Sequence, residues 1–138
     1  MRKRLLYLFL FLTFISCSKD NSNPRPIGQW DDIIKLSQKE ATIPSTGGSI
    51  EITTQGDWWW PVDARLDNNP NYDFSAINLL SGNYTFKEDC VQIERKDFKT
   101  IIITMDENNT NALRTLLIGL EAGDYFDHII VKQPSNIN

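Results

Sequence analysis

From residue 31 onward, apolar and polar positions trade places at nearly every step. No stretch of a dozen residues keeps the three-and-four spacing of a helix. Period-two runs recur instead and predict short strands. Residues 33–36 predict the first. Residues 41–44 predict a second, and Pro44 marks an edge or a switch between sheets. Thr46, Gly47 and Gly48 predict a turn. Residues 49–53 then alternate cleanly, with Ile50 and Ile52 inward. After a turn at Gln55, Gly56 and Asp57, strict alternation puts Trp58, Trp60, Val62, Ala64 and Leu66 on one face. Trp59, Pro61, Asp63, Arg65 and Asp67 fall on the other. Residues 72–80 read as a strand entering a turn at Ser81, Gly82 and Asn83. Residues 90–94 and 98–105 are strands around a turn at Arg95, Lys96 and Asp97. Residues 113–121, with Leu116, Ile118 and Leu120 on one face, pair with residues 125–133, with Ile129 and Val131 inward, around Gly123 and Asp124. About seven to nine short strands separated by turns predict an all-β, two-sheet sandwich over residues 31–134.

The N-terminus follows another pattern. Arg2, Lys3 and Arg4 precede an apolar run over residues 5–15, the length of a signal-peptide core and too short to span a bilayer. Ser16-Cys17 ends it and resembles the lipobox of bacterial lipoproteins, with Phe14 where Leu is usual. The resemblance implies cleavage after residue 16 and lipidation of Cys17, which tethers the chain to a membrane. The other reading of these residues is an ordinary secretory leader with an incidental Cys. Residues 17–30 then form a polar linker with two prolines, and residues 135–138 a tail. Two or more acyl chains anchor firmly where one does not. Ser18 is compatible with sorting to the outer membrane, by resemblance to other lipoproteins.

Composition changes the picture only through charge. Apolar residues make up 41% and charged residues 23%, as in ordinary globular domains. Loss of Arg2, Lys3 and Arg4 with the leader lowers the basic count from 14 to 11 against 18 acids, so the mature net charge is −7. That balance disfavours nucleic acid as a partner. With Cys17 acylated, Cys90 is left without a disulfide partner and reads as a small buried strand residue.

The motifs of the domain resemble a known family. They are the GGS-I-x-I strand of residues 47–52, the Trp-rich run 58–60, DENNT at 106–110, RTLLI at 114–118 and AGDYFDHIIVKQ at 122–133. Together they resemble the BACON domain, an immunoglobulin-like sandwich common in Bacteroidetes envelope proteins. The resemblance implies an immunoglobulin-like fold. The family's name implies carbohydrate binding, and some members look like spacers. No sugar-contacting residue carries over.

Candidate chemistry is sparse. Among the three adjacent tryptophans, the phase of Val62 and Leu66 assigns Trp60 to the core. It leaves Trp59 as the exposed ring able to stack on a pyranose, with Tyr72 as a neighbour. Residues 67–73 open like a calcium loop but lack its Gly and closing Glu, so no metal is expected. His128, the only histidine, should face away from Ile129 on a strand surface, without partners for a triad. The acid pairs Asp63 with Asp67 and Asp124 with Asp127 carry no signal in so acidic a chain. Asn83 and Asn108 match glycosylation sequons that read as accidental here. Arg114 should pin loop carbonyls or Asp106. The expectation is a non-catalytic lipoprotein of the cell envelope without a cofactor. It would bind a polysaccharide, or serve as a spacer pairing with an envelope protein.

Overall fold

The computed structural model describes residues 30–136. The leader, Cys17 and most of the linker lie outside the described residues. Among the described residues, eight strands form two four-stranded sheets. They are β1 (Glu40–Thr42), β2 (Gly48–Thr53), β3 (Trp60–Leu66), β4 (Tyr84–Glu88), β5 (Val91–Lys96), β6 (Thr100–Met105), β7 (Arg114–Ala122) and β8 (Tyr125–Gln133). One sheet has the order β1-β8-β7-β3 and the other β2-β6-β5-β4. Only β1 runs parallel to its neighbour. In immunoglobulin terms, β3, β7 and β8 take the places of strands C, F and G, and β2, β6 and β5 those of B, E and D. The fold is an immunoglobulin-like sandwich.

Alternation builds the core as the pattern predicts. Ile52 faces Ile101, Ile93 faces Ile103, Ile118 faces Ile129 and Leu116 faces Val131, and all eight are buried. The β7–β8 hairpin has the predicted register, and His128 points outward opposite Gly119. Pro44 lies where the chain leaves edge strand β1 and crosses to β2. The crossing turns at Gly47, whose N–H donates to the Pro44 carbonyl at 3.0 Å. Gly47 has a φ of 87°, and a side chain there would meet the Met105 carbonyl at 2.9 Å.

Other expectations are corrected. Residues 33–36 form no strand: Asp32 caps the Lys35 N–H at 2.7 Å, Lys35 turns to a φ of 52°, and only Leu36 makes a bridge, to Thr54. Residues 72–80 are irregular, because Asp73 and Asn78 draw the chain into local turns. Their aromatic rings still pack inward, where Phe74 meets Phe86 at 4.5 Å. The strand of this region is β4, further along. Cys90 lies in the β4–β5 turn rather than in a strand, and is partly buried.

Candidate functional site

The tryptophan run departs most from the expected phase, and the reason is local. The β3–β7 register shifts between Pro61 and Asp63, so Val62 is the extra residue of a bulge. Ala64 and Leu66 face the core as expected. Upstream of the bulge the phase inverts: Pro61 and Trp59 turn inward, while Trp58 turns out. Trp59 is 2% exposed and Trp58 63% exposed. The indole N–H of Trp59 donates to Thr54 Oγ1 at 3.0 Å. Trp59 is therefore a core anchor, and no flat face of it is open to a sugar. Tyr72 is buried too, against Phe86, and its hydroxyl has no hydrogen-bond partner. Burial pushes that hydroxyl well above the usual tyrosine range, reinforced by Cys90 and Asp89. The two expected partners are engaged elsewhere: Trp59 lies under Arg95, and Tyr72 packs tilted against Phe86.

Arg95, read from the sequence as part of a turn, organises the site. It is the last inward residue of β5, in phase with Val91 and Ile93, and is 2% exposed. Its guanidinium lies 4.0 Å from the Trp59 ring centroid. All five of its N–H donors reach backbone carbonyls. Nε donates to Phe98 at 3.3 Å, Nη1 to Leu79 at 3.1 Å and Ser81 at 3.3 Å, and Nη2 to Asp57 at 2.8 Å and Phe98 at 3.1 Å. Three connections are thus tied to one side chain: β2–β3, β3–β4 and β5–β6. Burial pulls the Arg95 pKa below its usual value, with Tyr84 and Asp57 opposing the shift. The V-x-I-x-R spacing of residues 91–95 was the available signal, since an arginine in an inward phase must find partners.

Above this pin lies an aromatic cleft of about 280 Å³, lined by Asp57, Trp58, Trp60, Leu80 and Phe98 over Trp59 and Arg95. Trp58 and Trp60 meet edge to face at 5.2 Å and 81°. Phe98 occupies the second central position of the β5–β6 turn, with Asp97 at φ 49° and Phe98 at φ 62°. Glycine is favoured at such a position, and a bulky residue there is strained. The ring is held by Gly82, where a side chain would collide with it. Trp30 and Ile33 extend the surface past Trp58 toward Gly123 and Tyr125. Five of the eight large exposed apolar side chains among the described residues therefore share this end: Trp30, Ile33, Trp58, Leu80 and Phe98.

The other candidates are engaged structurally. Asp67 accepts from the Thr115 N–H at 2.7 Å, and Asp73 caps Ser75. Asp127 pairs with Lys39 at 2.9 Å and accepts from Tyr125 Oη at 3.2 Å. Among the described residues, no group of three His, Cys, Asp or Glu side chains is placed to hold a metal. Arg114 donates to the Glu107 carbonyl at 3.1 Å, as the sequence led us to expect. Asn108 is fully buried, with its amide donating to the carbonyls of Ala112, Gln133 and Pro134.

No family model matches the chain, and no curated protein sequence matches it. Among solved structures, the chain is similar to an NMR structure of a protein from Bacteroides thetaiotaomicron. The TM-score is 0.64 at 17% identity, covering 83% of this chain and 97% of that one. That likeness is one of fold. A C. elegans MSP family member (16% identity, 75% and 97% covered) has a TM-score of 0.35. A chaperone–tip adhesion subunit complex of Acinetobacter baumannii Csu pili (7% identity, 75% and 57% covered) has one of 0.39.

Proposed function

We propose that this chain is a non-catalytic, BACON-like module of the cell envelope, lipid-anchored through Cys17, whose working surface is the aromatic end. It works by apolar contact rather than by reading sugar hydroxyls. One observation carries this choice. Arg95 supplies the only guanidinium of the cleft, and backbone carbonyls take all five of its donors. Asp57 alone among the exposed lining residues carries a charged side chain. Selective ligand sites add several well-placed polar groups to their apolar walls. The edge-to-face pairing of Trp58 and Trp60 also makes a corner rather than a flat platform.

A second reading keeps the carbohydrate ligand and moves it from Trp59 to Trp58, which is exposed beside Asp57. A glycan array probed with the mature chain and with Trp58→Ala separates the two. The contact reading expects no glycan retained by either protein. A glycan held by the parent chain and lost in Trp58→Ala would establish the carbohydrate reading instead.

A further inference from the structure

We propose that the aromatic end is a membrane-facing surface: Trp58, Leu80 and Phe98, flanked by Trp30, rest on the interface of the bilayer that holds Cys17. The inference rests on the lipid-anchor reading and names the partner of the contact surface proposed above. Its first support is where the tether arrives. The described chain begins at Trp30, which lies beside Trp58 and the β7–β8 turn. Only twelve residues separate Cys17 from Trp30. A segment of that length spans about 20 Å as a flexible coil and at most about 40 Å fully extended. The nine residues of β7 and of β8 run roughly 30 Å to the other end. A chain anchored at Cys17 therefore presents its aromatic end to the bilayer first.

The second support is chemical polarity. Tryptophan has an apolar body and a polar N–H, and prefers the membrane–water boundary, where leucine and phenylalanine add apolar area. Trp58, Leu80 and Phe98 are 63%, 65% and 48% exposed on loops that Arg95 holds in place. The far end differs in its apolar content: of the eight large exposed apolar side chains among the described residues, only Leu113 lies at its turns, among Asp67, Glu88, Asp89, Asp106 and Glu107. The aromatic end carries acids too, Asp31, Asp32, Asp57, Asp97 and Asp124 against Lys35, Lys96 and Lys99, so charge does not draw it to an anionic surface. The contact is apolar and persists at high salt, unlike a polybasic one. Because the tether keeps the local concentration high, a weak interfacial affinity suffices.

The test uses the full mature lipoprotein in vesicles of phosphatidylethanolamine and phosphatidylglycerol carrying acyl chains brominated near the headgroup. Intact mass reports whether Cys17 is acylated. We expect bromine to quench tryptophan emission at low and high salt. In a Trp30→Phe background, Trp58→Phe should lose most of the quenchable part. Leu80→Asp, a change at an exposed side chain, should also lose it while the β-sheet circular dichroism stays unchanged. An acylated chain whose Trp58 emission ignores bromine and yields to aqueous acrylamide overturns the docking proposal and leaves the anchor reading intact. A chain without acyl groups at Cys17 removes the tether, and both ideas fail together.

Discussion

Two adjacent tryptophans have opposite roles, and substitution should separate them. Trp59 fills the space beneath Arg95, so Trp59→Ala should cost about 3–5 kcal/mol in urea unfolding. Trp58→Ala removes an exposed ring and one edge contact, and should cost under about 1 kcal/mol. Equal losses would show that the bulge does not set the phase assigned here. Arg95→Met retains the length of the side chain but strands the carbonyls of Asp57, Leu79, Ser81 and Phe98. Hydrogen bonds from charged donors contribute about 1.5–3 kcal/mol each, not additively, so a loss of about 3 kcal/mol is expected. Arg95→Lys should recover only part of it, since one ammonium cannot reproduce a five-donor fork. Phe98 makes the complementary case. Phe98→Gly relieves a left-handed backbone worth roughly 1 kcal/mol while removing a half-exposed ring. Its stability should stay within about 1 kcal/mol of the parent, which would mark the phenylalanine as kept for its surface.

At the scale of elements, legibility followed the regularity of alternation. The β7–β8 hairpin was legible because nine residues on each side alternate without interruption. The polarity of β4 hid it: Phe86 is the only fully inward residue of Tyr84–Glu88. The aromatic residues at 72 and 74 imitated a strand because they pack inward from an irregular segment. Strand β3 was legible in extent and wrong in phase, since no composition signal marks Val62 as the bulged residue. The candidate site inherited that error: one unpaired residue exchanged the buried tryptophan with the exposed one. Deleting Val62 would join Pro61 to Asp63, whose partners Leu120 and Gly119 are already consecutive, so pairing becomes regular and Trp59 stays inward. We expect a melting temperature within about 8 °C of the parent's, since about 1 kcal/mol shifts it by roughly 4–8 °C in a domain of this size. A larger fall, with Trp59 emission shifted to that of an exposed ring, would show that the bulged residue is needed to keep the ring inside. The turn into β2 offers a parallel test. Gly47→Ala forces a side chain into a left-handed position against the Met105 carbonyl, and should cost about 1–2 kcal/mol. Serine at the exposed Asn109 should cost nothing measurable.

The exposed rings of the molecule gather at one end while acids lie at both, and its tyrosines predict how it fails at high pH. Burial raises the Tyr84 hydroxyl to about 12, with Arg95 opposing the shift. Tyr72 and Tyr125 move in the same direction, again chiefly by burial, with nearby acids adding to it. A phenol with a raised pKa in the folded state favours folding only while it stays neutral. Its contribution is full below the unfolded value of about 10 and is lost as pH rises through the folded value. Stability should therefore be level on the neutral side of pH 10 and fall steadily from there to about pH 12 and beyond. Urea midpoints across that interval measure the slope. Tyr72 sharpens the test, because its buried hydroxyl has no partner to lose. Tyr72→Phe should be neutral or slightly stabilising near pH 7, since it removes an unsatisfied polar group at nearly constant shape. It should also flatten the alkaline fall, because one fewer phenol must ionise for the chain to unfold. A variant less stable at pH 7 and equally sensitive to alkali would mean that the hydroxyl is hydrogen-bonded, for instance to a buried water.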